Sequence, residues 1–244
     1  MKITILGTGG ALPPKGRAQT GIYLEKEDGA LLVDCGSGIL FQLSKADIDL
    51  ESIETILITH HHLDHMSDLL PIITARWLSG ISHTKIIGPE GTADLVSRWI
   101  SMHEYVEKHI SVDIVEIEPD NSFEAGGFQI DSLPTEHWIP TVAFRFDNRV
   151  VFSADTAPIN AMCDFAKDCE LLVHECSTPN GEEMPFHTSP KALGELLSNC
   201  NIKKLVLTHF YPPSVGHEKE MASSIKENYP GEVIIGEDLM EFDI

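Results

Sequence analysis

The residues His60-His61-His62-Leu63-Asp64-His65 decide how this chain is read. They follow directly on Thr55-Ile56-Leu57-Ile58-Thr59, an apolar run that reads as a buried strand. Strand ends at a sheet's edge are where α/β proteins place ligand sites. Imidazole and carboxylate donors suit zinc and other first-row divalent metals. His60, His62, Asp64 and His65 stand too close in sequence for all of them to aim at one ion. In extended backbone, side chains two apart share a direction, so His60 and His62 pair, while the adjacent Asp64 and His65 diverge from them. Two neighbouring ions satisfy that geometry. His61, between the ligands, is expected to stay out of the site.

Working outward, three further candidates stand at strand ends. His137 follows Ser132-Leu133-Pro134, Asp155 follows Val150-Val151-Phe152-Ser153-Ala154, and His209 closes Leu205-Val206-Leu207-Thr208. Any one alone would pass for a surface or capping group. With the cluster they bring the ligand set to seven, which suits two ions bridged by a carboxylate and a water.

Periodicity predicts strands over 2–7, 21–26, 30–34, 54–59, 84–88, 111–117, 127–133, 141–147, 149–153, 170–174 and 204–208, with a final strand pair over 232–242. Helices are expected over 39–46, 69–78, 89–108, 159–167, 189–199 and 219–228. Glu27-Asp28-Gly29 and Asn148 mark hairpin turns, and Ser189-Pro190 a helix cap and first helical residue. Two rough halves, each β-rich and then helical, imply an α/β protein of two packed sheets with helices outside. No linker or repeat interrupts this, so one domain over 1–244 is expected.

Composition narrows the function classes. With 42% hydrophobic and 23% charged residues the chain is an ordinary globular protein. No apolar run approaches the length needed to span a bilayer, so no membrane partner is expected. Met1-Lys2-Ile3-Thr4-Ile5-Leu6-Gly7 reads as a strand rather than a signal peptide, and a cytoplasmic location is expected. The five cysteines include no Cys-x-x-Cys pair and are expected to be buried reduced thiols. A net charge of −21 stays strongly negative after two divalent ions are added, which opposes general affinity for nucleic acid. Gly7-x-Gly9 is no dinucleotide fingerprint, because Leu12 stands where its third glycine would be; it reads as a tight turn near the site.

The chain resembles the metallo-β-lactamase superfamily and, within it, the ribonuclease Z-like branch, nearly end to end. His-x-His-x-Asp-His at 60–65 is the superfamily's signature. The branch is carried by Gly7-Thr8-Gly9-Gly10-Ala11-Leu12-Pro13, Asp34-Cys35-Gly36-Ser37-Gly38, Leu172-Val173-His174-Glu175-Cys176 and Phe186-His187-Thr188-Ser189. The resemblance implies a four-layer αββα sandwich of two mixed β-sheets flanked by helices. It implies that His60, His62 and His137 hold one metal ion and Asp64, His65 and His209 the other, with Asp155 bridging. Two divalent ions are therefore the expected cofactors, zinc first, with manganese and iron as alternatives. The reaction expected is hydrolysis of a phosphodiester by a hydroxide shared between the ions, about 3.5–4 Å apart. Asp64 also positions that hydroxide, and His187, oriented by Glu175, protonates the leaving group. Without the resemblance His187 reads as a loop histidine before a helix.

Three departures bear on substrate. Seventeen residues separate His137 from Asp155, room for a hairpin where tRNA-processing members carry a long arm. Ala18 follows Arg17 where the branch commonly has asparagine, and the charge is hostile to a large polyanion. Small or cyclic phosphodiesters and short RNA are thus the expected substrates, with tRNA weakened. Ester, lactone or β-lactam hydrolysis is the alternative, and a non-catalytic metal-binding protein the third reading. Relatives in this branch are often dimers, so a homodimer is expected.

Overall fold

Strands covered on both faces carry near-continuous apolar runs, and the sequence is written that way. In Leu31-Leu32-Val33, Leu31 and Val33 face the core between two sheets, while Leu32 faces a second core under helices. In Leu205-Val206-Leu207 the pattern is mirrored, with Val206 between the sheets and its neighbours under helices of the other side.

The computed structural model describes residues 1–244. The first half of the chain forms β1 (Lys2–Gly7), β2 (Gly21–Lys26), β3 (Gly29–Val33), α1 (Ile39–Lys45), β4 (Thr55–Leu57) and α2 (Leu63–Met66). It continues with α3 (Leu69–Leu78), β5 (His83–Gly88), α4 (Thr92–Ser101), α5 (Glu104–His109) and β6 (Ser111–Glu116). The second half forms β7 (Ser122–Ala125), β8 (Phe128–Pro134), β9 (Val142–Phe146), β10 (Val150–Phe152), α6 (Asn160–Phe165) and β11 (Leu171–Glu175). Then come α7 (Pro190–Leu197), β12 (Lys204–Thr208), α8 (Glu218–Lys226), β13 (Glu232–Ile235) and β14 (Met240–Asp243). Two seven-stranded sheets result, ordered β14-β1-β2-β3-β4-β5-β6 and β13-β12-β11-β10-β9-β8-β7. Each is antiparallel at one end and parallel at the other, as in β3-β4-β5-β6 and β10-β11-β12-β13. Three cores, one between the sheets and one beneath each outer set of helices, give the four-layer αββα sandwich. No helix is long and apolar enough to cross a membrane.

Four expectations change. The helix expected over 89–108 is two helices, broken at Met102-His103. Val96 and Ile100 lie on one buried face, but a straight helix would place Val106 roughly 120° round from Ile100. The break lets Val106 reach the same core. β7 was not expected; its only inward residues are Phe123 and Ala125, yet Gly126-Gly127, both at positive φ, form its hairpin turn to β8. The strand pair over 232–242 is no hairpin. β13 extends the second sheet parallel to β12, and β14 crosses to the first sheet beside β1. Finally, Cys163 and Cys200 are joined as a disulfide with Cα atoms 5.6 Å apart, leaving Cys35, Cys169 and Cys176 as buried free thiols. The pairing arises because α6 and the end of α7 meet in the outer layer, a proximity that sequence spacing does not encode.

Phe144, fully buried between the sheets, tests the packing. Phe144→Ala is expected to cost about 3–5 kcal/mol, whereas Phe41→Ala, at an exposed position, should stay within about 0.5 kcal/mol. Denaturant unfolding checks both, and equal midpoints would contradict the inter-sheet core.

Candidate metal centre

The candidate residues converge at the C-terminal ends of the strands. His60 and His62 follow β4, and α2 begins at Leu63, so the backbone changes from extended to helical between His62 and Asp64. That change gives Asp64 and His65 directions of their own, although the rings of His60 and His65 stay in contact with centroids 4.0 Å apart. His137 follows β8, Asp155 follows β10, and His209 follows β12. Donor atoms of His60, His62, His137 and Asp155 all lie within 4.8 Å of one another, as do those of Asp64, His65, Asp155 and His209. Asp155 is common to both groups. Its Oδ2 stands 3.7 Å from the Nε2 atoms of His60 and His137 and 3.2 Å from that of His209, and its Oδ1 3.4 Å from His65 Nε2.

Ring nitrogens crowd together here. His62 Nδ1 lies 3.1 Å from both His60 Nε2 and His137 Nε2, and His65 Nε2 lies 3.4 Å from His209 Nε2. The other face of each ring explains which nitrogen is turned inward. His65 Nδ1 donates to Asp34 Oδ2 at 2.7 Å, and His60 Nδ1 donates to Thr59 Oγ1 at 3.0 Å. His137 Nδ1 donates to the Phe186 carbonyl at 3.2 Å, and His209 Nδ1 to Ser177 Oγ at 3.0 Å. With four Nδ1–H groups spent, four Nε2 lone pairs face the centre, and His62 alone presents Nδ1. Such tautomer control is what metal-ligating histidines require of their surroundings. A cluster of facing lone pairs with two carboxylates fits divalent cations.

Electrostatics agree. Burial holds His60 well below its usual pKa, aided by the charge of His65, and burial lowers His137. Burial alone would raise Asp155, but positive charge at the His209 and His65 positions, which protons or bound cations can supply, outweighs it and holds this carboxyl well below the usual carboxylate range.

Beside this cluster stands a second arrangement. On β11, Leu171 and Val173 face the inter-sheet core, and Glu175, next in that alternation, emerges at its open end beside the histidines. Glu175 Oε1 accepts from His187 Nδ1 at 3.1 Å and from Thr188 N at 2.9 Å, and Oε2 accepts from Ser177 Oγ at 2.8 Å. Although Glu175, His187 and His209 also lie within donor distance of one another, Glu175 is thus occupied by hydrogen bonds. Burial lowers the His187 pKa, but its bond to Glu175 and that residue's charge outweigh burial and push it up to about 8. His187 stacks on His209 with ring centroids 5.4 Å apart. His61 turns away to Thr92 Oγ1 at 2.8 Å and stands outside both donor groups.

Sequence reasoning missed three residues. Asp34 enters the sequence reading only as the end of a strand and the start of a branch motif, yet its buried carboxylate accepts from Thr59 N and Oγ1, both at 2.8 Å, as well as from His65. Ser177 joins His209 to Glu175, and Tyr211 lines the cleft, its phenol raised by burial and by Asp64 and Asp155. One signal was present: Asp34 ends a buried strand, where an unpaired carboxylate would be costly. Four residues around the centre, Asp34, Ala154, Phe186 and His209, hold the left-handed backbone that non-glycine residues seldom adopt. Gly10 allows a close approach, because a Cβ there would stand 2.9 Å from His209 Cε1. Above the centre opens a cleft of about 590 Å³, lined by no lysine or arginine.

A family model described as anti-Pycsar protein Apyc1 matches residues 1–226. The ribonuclease Z of Mycobacterium sp. (strain KMS) is 27% identical over all of this chain and 96% of that relative. Among solved structures, the metallo-beta-lactamase fold protein YhfI from Bacillus subtilis superposes with a TM-score of 0.86 at 25% identity, over 99% of this chain and 98% of that one. The short form of human tRNase Z gives 0.81 at 24%, over 100% and 99%.

Asp34→Asn keeps the shape at His65 but removes the charge that fixes its ring. Metal affinity is expected to fall by about 10–100-fold. Competition titration with a chromophoric chelator reads this directly, and unchanged affinity would deny Asp34 its orienting role.

Proposed function

Because the chain belongs to the family of the anti-Pycsar protein Apyc1, within the ribonuclease Z-like branch of the metallo-β-lactamase fold, we propose that this metal-dependent hydrolase cleaves phosphodiesters. Small or cyclic phosphodiesters are the substrates proposed, with short RNA as the alternative. Residues 1–244 are taken as one catalytic domain, and a homodimer as its working form.

His60, His62 and His137 would hold one ion, Asp64, His65 and His209 a second, with Asp155 between them. Support comes from the two donor groups that share Asp155. Zinc suits a set so rich in imidazole, with manganese and iron as alternatives. When bound, such ions supply positive charge to the phosphoryl group and make water a nucleophile at neutral pH. The protein's own groups do the rest. Asp64 positions the attacking water, and its Oδ2 is itself held 3.1 Å from His209 Nε2. His187 carries a proton at neutral pH, with Nδ1 tied to Glu175, and delivers it from Nε2 to the leaving oxygen.

The Glu175–His187 pair is the observation that carries the phosphodiester reading. An alkoxide leaving from phosphorus needs a proton donor, whereas opening a lactone or β-lactam needs one less strictly. Size follows from the cleft and the hairpin. β9 and β10 are joined by a tight turn at Asp147-Asn148, both at positive φ, with no projecting arm. A cleft without lysine or arginine offers a long polyanion no cationic track.

His187→Ala is expected to keep both ions yet lose about a hundredfold or more in turnover of a cyclic nucleotide. Unchanged turnover would remove His187 from the reaction, and wild-type activity confined to a lactone or β-lactam would overturn the phosphodiester reading. Asp155→Ala should instead lose metal, because the shared carboxylate is gone. Elemental analysis showing full occupancy in that variant would refute the bridging assignment.

A further inference from the structure

Two dipeptides, distant in sequence, run side by side at the rim of the cleft. His137-Trp138 follows β8, and Phe186-His187 precedes α7. The histidine rings meet edge to face with centroids 5.2 Å apart, and the aromatic rings lie tilted against each other with centroids 4.6 Å apart. The backbone locks the pairing, since the Phe186 carbonyl accepts from His137 Nδ1. Phe186 holds this position at φ +60, a left-handed backbone that bulky residues seldom adopt. Trp138 is nevertheless 63% exposed and lines the same cleft as Asp64, Asp155 and His187. A large indole resting against Phe186 but left mostly open to solvent, one residue from a candidate ligand, offers surface with no partner in the fold.

Resting on the phosphodiesterase reading above, we propose that Trp138, backed by Phe186, is a stacking platform for the nucleobase of a nucleotide substrate. The lining of the cleft supports this. With no lysine or arginine there, the part of the substrate away from the phosphorus must be held by contact area, and Trp138, Leu63, Met184 and Tyr211 supply it. Stacking is tolerant of base identity, because every base offers a π-face. It also places the base outside the metal cluster while the phosphate lies within it, since Trp138 and His137 are consecutive. The platform thus fixes the distance between base and reacting phosphorus and selects nucleotides over other small diesters.

Three proteins and two substrates test this, using zinc-loaded wild type, Trp138→Ala and Trp138→Phe. The substrates are a 3′,5′-cyclic nucleotide and methyl p-nitrophenyl phosphate, which has no base. For Trp138→Ala we expect KM for the cyclic nucleotide to rise by about tenfold or more, with kcat little changed and turnover of the base-free diester unaffected. Trp138→Phe should recover most of the affinity. A readout independent of turnover is the quenching of tryptophan fluorescence by a non-hydrolysable nucleotide analogue, which should vanish in Trp138→Ala although Trp77 and Trp99 remain. An unchanged KM together with persistent quenching would overturn the platform while leaving the phosphodiesterase intact. Equal loss on both substrates would also overturn it, by showing that Trp138 merely holds the site together. If wild type hydrolyses neither diester, the phosphodiesterase reading fails instead.

Discussion

Four imidazoles with their lone pairs turned toward one another are tolerable in a protein only if something fixes each ring from behind. Asp34 is the clearest instance. From the end of β3 its buried carboxylate gathers Thr59 N, Thr59 Oγ1 and His65 Nδ1, and Thr59 Oγ1 in turn receives His60 Nδ1. One carboxylate therefore orients ligands of both candidate ions and ties β3 to the loop after β4. Ser177 and the Phe186 carbonyl do the same for His209 and His137. Removing any one of these supports leaves a buried donor unmatched, at a cost of roughly 1–3 kcal/mol, so the centre and the strand ends that carry it are stabilised together.

Three of the residues that meet at the site were legible because of a simple arrangement: each stands just past an apolar run. A strand buried on both faces advertises itself in sequence, and the first polar residues after it fall at the edge of the sandwich. His60, Asp155 and His209 share that property, whereas His137 stands three residues past the alternating strand β8 and Glu175 is picked out only by the resemblance. What sequence does not carry is the pairing between segments. Nothing in Asp34 names His65 as its partner, and nothing in Ser177 names His209. β13 and β14 read as one strand pair because they are adjacent in sequence, yet they serve different sheets. The Cys163–Cys200 bond depends on how α6 and α7 pack, and the break at Met102-His103 on where the core needs Val106.

Separation of duties also runs through the cleft. Charge is concentrated in the cluster and in the Glu175–His187 pair, whereas the rim is apolar and aromatic. A strongly acidic chain that handles anions must confine its attraction to a few points. Here those points are the candidate cation donors and one histidine, His187, whose pKa its bond to Glu175 raises. The rim adds shape and area without adding charge.

The crossing from β13 to β14 has a consequence for how the molecule is made. β1 leaves the ribosome long before its outer neighbour β14, from which the whole of the rest of the fold separates it in sequence. Until Met240–Asp243 arrives, β1 exposes a row of unpaired backbone groups, the kind of edge that recruits stray strands from other chains. Nor can Asp238 yet anchor the loop near the centre through Thr8 and the Ala18 amide. Such long-range closure slows folding. A nascent chain stalled before β14 would carry all seven candidate ligands, yet it would be sticky at one edge and loose at the mouth of its own site.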